Sequence, residues 1–426
     1  MNYPDSVRYL YSLGNELKSA KLGLETISAV VEALGNPQRA CRFVHVAGTN
    51  GKGSTCAMIE AGLRAAGIRT GLYTSPHLAE PTERIQVAGS AVTREQFARA
   101  FDTVHEAAEG LLRDGAIASH PTYFETVTAM AFVLFKELDA ETVVLEVGLG
   151  GRLDATNVVT PALAVITRVD FDHEAFLGRS IEAIASEKAG ILKPGIPAVL
   201  APQRAEAEST VLARAAATGS TILRAADWTV EECALHPRGS SFLIRTKGEA
   251  GLRLRCPLAG EHQVENALTA AVALRALGID GETIERGIAA TVWPGRLEMV
   301  SQRPEIILDG AHNPSGARAL VSYMERFYRD RKITLIYGAM RDKSVAEMTG
   351  ILFPAVDTVI ATAPGQERAT RPETIRDLSG FSGVRVTQTV AEALQCIAAA
   401  GPDEVIFITG SLFVVAEARS LLVRTS

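Results

Sequence analysis

The chain has 426 residues and a formal net charge of −6, with 43 Lys and Arg against 49 Asp and Glu. Single hydrophobic cores stop growing at roughly 250–300 residues, so this length predicts two domains. Hydrophobic residues make up 47% of the chain and charged residues 22%, which is typical of a globular protein. Because there is no basic excess, a nucleic-acid partner is not expected. An enzyme for an anionic ligand would have to concentrate its positive charge locally.

The cysteines and the N-terminal residues indicate the compartment. The chain has 5 Cys, with no spacing typical of a metal site, and an odd number outside a secretory context predicts reduced thiols. Residues 1–25 contain no apolar stretch long enough for a signal peptide or a membrane span. We therefore predict a cytoplasmic protein with no membrane partner.

In the N-terminal part, short β-rich runs alternate with helical patterns. Strands are predicted at residues 41–46, 142–147, 162–167 and 196–200, with helices at 54–66 and 181–189. Such alternation implies crossover connections, so it predicts a mostly parallel, doubly wound sheet. Residues 241–245 and 252–255 then predict a small antiparallel addition, followed by a helix over 263–277.

A Pro-Gly breaker at Trp293–Arg296 interrupts this pattern and predicts a hinge. After it the alternation restarts, with strands predicted at 305–308, 333–337, 358–361 and 405–408. We predict an α/β N-terminal domain over 1–295 and a smaller, Rossmann-like α/β domain over 296–426.

The sharpest local signal is the segment Gly48-Thr-Asn-Gly-Lys-Gly-Ser54, which follows a predicted strand and opens a helix. Glycines allow backbone N–H groups to face an anion, and a helix N-terminus favours negative charge. Lys52 can reach the β- and γ-phosphates of a nucleotide, and Ser54 can meet Mg²⁺. The segment departs from the common phosphate loop, since Val46 occupies the first Gly position and Gly53 separates Lys52 from Ser54. The alternative is a Gly-rich turn, but the strand and helix around it favour a P-loop NTPase-like domain.

Acidic and histidine residues follow the next strands. Glu146 is a single carboxylate in a buried-strand pattern, where it either binds a metal or pairs with Arg152. The turn 148–157 lies where doubly wound sheets hold ligands, so Arg152 and Asp154 either clamp a substrate there or form a tight turn. His173 taken alone is more typical of a structural residue. Lys188 taken alone fits a solvated lysine near a helix C-terminus.

Taken together, these sequence motifs resemble those of the Mur ligase superfamily. The phosphate loop with its extra Gly53 resembles that of the folate branch, the folylpolyglutamate and dihydrofolate synthases. The resemblance covers residues 21–417, in order along the chain. The other segments that carry the resemblance are Lys21–Leu24, the turn 148–157, Glu187–Ile191, Asp309–Pro314, Gly338–Lys343 and Thr409–Phe413.

The resemblance implies a metal centre. It assigns Mg²⁺, at two sites, to Ser54, Ser75, Glu146 and His173, with K⁺ as a further candidate ion. It also implies that CO₂ carboxylates Lys188 to N6-carboxylysine, whose anion helps to hold the second metal. The catalytic residues that it implies are Lys52, His173, Lys188 and His312.

The resemblance also implies two substrate sites. It assigns ATP binding to Gly48, Thr49, Asn50, Gly51, Lys52, Gly53, Ser54, Asn266, Arg296 and Asp309. It assigns folate or pterin binding to Thr122, Tyr123, Phe124, Glu125, Arg152, Leu153 and Asp154. From the residues alone, helix capping for Asn266, turn chemistry for Ser75 and Asp309, and core packing for Thr122–Glu125 remain open.

The implied activity is ATP-dependent addition of L-glutamate to dihydropteroate, to a reduced folate, or to both, through an acyl phosphate. A monomer that closes about Arg296 and binds only small molecules is expected. Two alternatives are considered. A cell-wall Mur ligase would be expected to carry a further N-terminal nucleotide-binding domain of roughly a hundred residues. A phosphate-loop switch or assembly ATPase would not need the segment Asp309–Pro314.

Overall fold

A computed structural model describes residues 1–14, 23–248, 250–341 and 343–423. Lys21, which belongs to one of the segments that carry the family resemblance, lies outside the described residues. The chain divides into two compact units. The first comprises residues 1–231, 243–254 and 265–291, and the second comprises 232–242, 255–264 and 292–426. No described helix is both long enough and apolar enough to cross a membrane.

The first unit is organised around an eight-stranded sheet of order β4-β3-β2-β5-β1-β6-β7-β8. Neighbouring strands from β2 to β8 pair in parallel, whereas β3 and β4 add an antiparallel edge. The fold predicted from strand and helix alternation is therefore confirmed. The strands are β1 Arg42–Ala47, β2 Thr70–Tyr73, β3 Ile85–Val87, β4 Ser90–Ala91, β5 Thr142–Glu146, β6 Leu163–Ile166, β7 Ala198–Leu200 and β8 Ile222–Arg224.

Ten helices accompany this sheet in the described part of the chain. They are α1 Tyr3–Ser12, α2 Glu25–Ala33, α3 Lys52–Ala65, α4 Arg94–Arg113, α5 Tyr123–Glu137, α6 Glu174–Leu177, α7 Ile181–Ala189, α8 Ala205–Thr218, α9 His262–Ala276 and α10 Gly281–Ala289. One apolar core lies between α1, α2, α4, α5 and the sheet, and a second packs α7 and α8 against β6 and β7.

A separate three-stranded sheet forms where the sequence predicts a small addition. Its strands are β9 Thr229–His236, β10 Gly239–Arg245 and β11 Leu252–Cys256, in the order β11-β10-β9.

The second unit has a six-stranded sheet of order β12-β13-β17-β14-β15-β16. Only the edge pair β12–β13 is antiparallel among its described pairings. Its strands are β12 Glu298–Gln302, β13 Glu305–Leu308, β14 Ile333–Tyr337, β15 Thr358–Ala361, β16 Arg385–Val386 and β17 Val405–Thr409. Its helices are α11 Pro314–Tyr328, α12 Val345–Leu352, α13 Pro372–Ser379, α14 Val390–Cys396 and α15 Leu412–Leu422.

Two glycines allow α3 and α10 to cross closely. A Cβ atom on Gly287 of α10 would lie 2.8 Å from the backbone nitrogen of Gly62 and 2.9 Å from the carbonyl oxygen of Ala61, both in α3. Backbone atoms cannot move aside as the end of a flexible side chain can. The crossing therefore fixes the position of α3, the helix that begins at Lys52.

We expect Gly287→Val to lower the free energy of unfolding of the first unit by about 1–3 kcal/mol, because the new side chain overpacks against backbone. Calorimetric unfolding measures this. The matched control is Gly110→Ala in α4, where the nearest atom to the added Cβ is Arg113 Nη2 at 3.9 Å. Unchanged stability of Gly287→Val would contradict the close crossing.

Candidate active site

The carboxyl ends of four neighbouring strands meet at one edge of the first sheet. The register pairs Val46 of β1 with Glu146 of β5, and Ala47 of β1 with Ile166 of β6. On the other side of β5, Tyr73 of β2 pairs with Leu145. The segments that follow β1, β2, β5 and β6 therefore leave the sheet together, at the edge where open α/β sheets bind ligands.

The segment after β1 forms a loop held by the segment after β6. The backbone N–H groups of Thr49 and Asn50 donate to the carbonyl oxygen of Arg168, at 2.9 and 3.2 Å. The Thr167 hydroxyl donates to the carbonyl oxygen of Asn50 at 2.9 Å. The loop is thus shaped before any ligand binds.

Gly51 ends the loop and is the N-cap of α3, with φ +84° and no side-chain cap hydrogen bond among the described residues. A Cβ at this position would clash with the side-chain amide of Asn266 on α9. The structure therefore brings Asn266, a predicted ATP-binding residue, against the phosphate loop. The first N–H groups of α3 have no partner within the helix, so they suit an anion.

Two lysine side chains converge on this loop. Lys52 Nζ donates to the carbonyl oxygens of Gly48, at 3.1 Å, and Thr49, at 3.3 Å. Lys188 Nζ also donates to the carbonyl oxygen of Gly48, at 2.8 Å. Lys188 is 4% exposed, so it is not the solvated lysine that the sequence alone favours.

The electrostatic environment of Lys188 disfavours its charged form. Burial and, to a smaller extent, the charge of Lys52 lower the pKa of Lys188 from 10.5 to about 7, although Asp172 and Asp154 act in the opposite direction. A phosphate group close to both lysines would offset their mutual repulsion.

Glu146 and Ser75 are brought together at the same sheet edge. The buried Glu146 carboxylate accepts a hydrogen bond from the Ser75 backbone N–H at 3.1 Å. Its charge also raises the pKa of Cys56 on α3, although burial is the larger cause. Arg152 pairs instead with Glu187, Nη2 to Oε1 at 2.9 Å. The alternative interpretation, an ion pair between Glu146 and Arg152, is therefore wrong.

His173 lies at the N-cap of the short helix α6 with a left-handed backbone, φ 52°. Its backbone N–H donates to Asp172 Oδ1 at 2.8 Å, and its Nε2 lies 3.8 Å from the same oxygen. Asp172 and His173 thus form one local unit. The neighbouring Asp170 has a different setting, since it faces Arg204 at 3.6 Å.

The turn after β5 is held together by Asp154. Its Oδ2 accepts from the Leu149 backbone N–H at 2.9 Å, and its Oδ1 accepts from the Thr156 backbone N–H at 3.0 Å. Burial raises the pKa of Asp154, while these hydrogen bonds lower it. Asp154 thereby shapes the turn, and Leu153 beside it is half-buried. The substrate role of Arg152, Leu153 and Asp154 stays a prediction.

The segment Thr122–Glu125 begins α5 with a capping box. The Thr122 backbone N–H donates to Glu125 Oε2 at 2.8 Å, and the Glu125 backbone N–H donates to the Thr122 hydroxyl at 3.2 Å. Tyr123 is buried, with the Arg84 guanidinium 5.1 Å from its ring centre. Phe124 is half-buried and lies close to Gly148. A pterin-binding role for this segment stays a prediction.

In the second unit, the segment after β13 gathers the remaining predicted residues. Asp309 Oδ2 accepts from the Leu297 backbone N–H at 3.1 Å, and Oδ1 accepts from the Ala311 backbone N–H at 3.0 Å. The Arg296 guanidinium lies against Gly310. His312 Nδ1 is 2.8 Å from the carbonyl oxygen of Gly310, so Nδ1 carries a proton and donates it to that oxygen.

Both halves of the chain match models of known domains. Residues 46–274 match the Mur ligase middle domain, and residues 295–412 match the Mur ligase glutamate ligase domain. The folylpolyglutamate synthase of Lacticaseibacillus casei is 36% identical over 99% of this chain and 99% of its own length. The dihydrofolate synthase/folylpolyglutamate synthase of Escherichia coli is 35% identical over 95% of this chain and 92% of its own.

This chain belongs to the folylpolyglutamate synthase branch of the Mur ligases.

Solved structures of relatives agree with that assignment. The Mycobacterium tuberculosis folylpolyglutamate synthase, complexed with ADP and AMPPCP, superimposes with a TM-score of 0.91 at 32% identity and covers 100% of both chains. The E. coli relative, in complex with DHPP and ADP, gives a TM-score of 0.87 at 32% identity and covers 99% of this chain and 97% of its own. This Mur ligase is a carboxylate–amine ligase.

Thr167 is the part of this Mur ligase site that sequence reasoning missed. Its hydroxyl donates to Asn50, and a Cβ on Gly48 would clash with it. A threonine at the end of a strand carries no distinctive spacing. Only the pairing of β1 with β6 brings it to the phosphate loop.

We expect Gly51→Ala to raise the dissociation constant for ATP at least tenfold, because the added methyl group displaces Asn266 or the loop. Calorimetric titration with a non-hydrolysable ATP analogue measures this. The matched control is Gly67→Ala, also at a left-handed position, φ +80°, but with nothing within 4 Å of its Cβ. Both variants should lose about 1–3 kcal/mol of stability from backbone strain. Equal ATP affinity in the two variants would contradict the placement of ATP at the loop beside Gly51 and Asn266.

Proposed function

We propose that this ligase uses ATP to join L-glutamate to the carboxylate of a folate-class substrate. The observation that supports this most directly is the loop Gly48–Ser54, which leads into α3 and whose Gly48 carbonyl oxygen accepts from both Lys52 and Lys188. The relatives that span the whole chain are named folylpolyglutamate or dihydrofolate synthases, and one solved relative holds DHPP and ADP.

The proposed reaction has two steps. An oxygen of the substrate carboxylate attacks the γ-phosphorus of ATP, the bond from that phosphorus to the bridging oxygen breaks, and ADP leaves. The amine of L-glutamate then attacks the carbonyl carbon of the acyl phosphate. The tetrahedral adduct loses phosphate, and the amine loses a proton. Activation is needed because a carboxylate by itself is a poor electrophile.

Lys52 would act on the first step. Its ammonium group contacts the Gly48 carbonyl oxygen just before α3, where the phosphates of ATP are proposed to lie. Charge that develops on the transferred phosphoryl group meets donors that are already in place, so little reorganisation is required.

Ser54, Ser75, Glu146 and His173 are the residues that we propose to hold Mg²⁺. The donor chemistry fits, since a buried carboxylate and hydroxyl groups are the oxygen ligands that Mg²⁺ prefers. Bound Mg²⁺ supplies Lewis-acid stabilisation of the phosphate oxygens. Glu146 is a 4% exposed carboxylate at the end of an apolar strand, a placement that suits a metal ligand. A K⁺ site stays a prediction.

The folate substrate is proposed to contact Thr122–Glu125 and the turn Arg152–Asp154. The turn follows β5 at the carboxyl edge of the first sheet, and Phe124 of the other segment lies against Gly148 at the start of the turn. Asn266 is proposed to contact ATP, as are Arg296 and Asp309 of the second unit, where His312 is proposed to face the amino acid. A cytoplasmic location and a monomeric state stay predictions.

Product analysis tests the function. We expect mass spectrometry to detect one added glutamyl residue, with ADP and phosphate, when ATP and L-glutamate are supplied with dihydropteroate or with tetrahydrofolate. Addition to tetrahydrofolate alone would remove the dihydrofolate synthase half of the proposal. ATP hydrolysis that depends on neither glutamate nor folate would favour a switch ATPase instead.

Lys52→Ala tests the proposed charge stabilisation. We expect it to lower kcat by about 100- to 1,000-fold, as removal of one preorganised donor does in other enzymes. Lys136→Ala, an exposed lysine at the end of α5, is the control and should leave kcat unchanged. Wild-type turnover by Lys52→Ala would overturn the assignment of the loop.

We also propose that Lys188 is carboxylated by CO₂. Supporting this, Lys188 is buried beside the loop, and its pKa is lowered to about 7 by burial and by Lys52. Because CO₂ reacts with the neutral amine, carbamate occupancy should rise as the pH is raised through 7 at constant CO₂ pressure. In the unfolded chain the pKa returns to its ordinary 10.5, so unmodified protein should gain stability between pH 7 and 10.5.

The carbamate is measured by ¹³C NMR after equilibration with ¹³C-bicarbonate at pH 6, 7 and 8. We expect a signal that grows with pH and that Lys188→Gln lacks. Lys193→Gln is the matched control, since Lys193 is also partly buried with a lowered pKa, and it should keep the signal. An identical spectrum for Lys188→Gln would contradict the modification.

A further inference from the structure

A cluster of two histidines and a glutamate lies away from the phosphate loop, between α4 and the segment that leads into α5. His105, Glu109 and His120 each offer one ligand atom, and these atoms all lie within 4.8 Å of one another. His105 and Glu109 are four residues apart on α4, so their side chains project from the same face of the helix. His120 precedes Thr122, the N-cap of α5.

The His120 ring is oriented by a backbone hydrogen bond. Its Nδ1 lies 3.1 Å from the carbonyl oxygen of Pro121 and donates to it, which leaves the lone pair of the neutral ring on Nε2. An imidazole that donates through one nitrogen to a backbone carbonyl is the arrangement typical of a metal ligand that binds through the other. The Tyr9 hydroxyl is 3.4 Å from Nε2, too long for a strong hydrogen bond.

The other two side chains are placed to complete a site. His120 Nε2 lies 3.7 Å from Glu109 Oε1, close to the about 3.4 Å that separates two ligands of tetrahedral Zn²⁺ at 2.0–2.1 Å from the ion. The His105 ring stacks on Phe101, with centroids 5.4 Å apart and an interplanar angle of 12°. Its Nδ1 is buried and has no hydrogen-bond partner among the described residues.

We propose that His105, Glu109 and His120 bind a Zn²⁺ ion that fastens the segment before α5 to α4. Two imidazoles and one carboxylate are a donor set that favours Zn²⁺ over Mg²⁺, and three protein ligands leave a fourth position for water. Glu109 is 42% exposed, which leaves the ion a route from solvent, whereas His120 is 17% exposed. This site is separate from the residues proposed for Mg²⁺ and does not depend on the proposed ligase reaction.

Metal counting tests the proposal. The full chain is stripped with a chelator, supplied with excess Mg²⁺, titrated with ZnCl₂ and analysed by calorimetry and elemental mass spectrometry. We expect wild type to bind one equivalent of zinc more than either Glu109→Gln or His120→Gln. His236→Gln, which changes an exposed histidine in β9, is the matched control and should bind as wild type does.

Two further readouts separate a bound ion from a merely structural cluster. Co²⁺ in place of Zn²⁺ should give the visible absorption bands of a tetrahedral site in wild type but not in Glu109→Gln. Zn²⁺ should raise the melting temperature of wild type and leave that of Glu109→Gln unchanged, because the ion binds only the folded state. Glu109→Gln alters an exposed side chain, so its fold is kept and is checked by circular dichroism. Equal zinc counts and equal melting shifts in the two proteins would overturn the proposal.

Discussion

The carbonyl oxygen of Gly48 is the point on which the first unit's functional edge depends. It accepts hydrogen bonds from both Lys52 and Lys188, which come from different helices. Two like charges at one carbonyl repel each other, and the lowered pKa of Lys188 reflects burial together with this repulsion. The lowered pKa brings Lys188 close to its neutral form near pH 7, which weakens this repulsion. An anion bound beside the two lysines would offset the repulsion that remains.

The surrounding structure keeps that loop in one shape. Thr167 and the Arg168 carbonyl hold it from the segment after β6, and Asn266 closes against Gly51 from α9. The helix that begins at Lys52 is fixed in turn by its backbone crossing with α10 at Gly287. Because each of these contacts is made by backbone or by short side chains, the loop has little room to relax. Such rigidity suits a site that must hold a phosphoryl group in place during transfer.

Several side chains serve local structure at the positions that we propose to bind substrates. Asp154 shapes the turn after β5, and Glu125 completes a capping box. In the second unit, Asp309 accepts from two backbone N–H groups. These contacts do not exclude binding roles, since a carboxylate has two oxygens and several lone pairs. They do mean that a substitution at these positions would disturb the local fold as well as any ligand contact, so product assays on such variants need a stability control.

The sequence by itself determined the alternation of strands and helices, the phosphate loop and the family, because periodicity, glycine spacing and ordered phrases are local properties of the chain. Most predicted strands agree with the structure to within one or two residues, as at β1, β5 and β17. Only the tertiary structure decided which residues meet. It pairs Arg152 with Glu187 instead of Glu146, buries Lys188, and brings Thr167 to the loop. These contacts join residues up to 140 positions apart, as Lys188 and Gly48 are, and no local pattern encodes a distance that the sheet order sets.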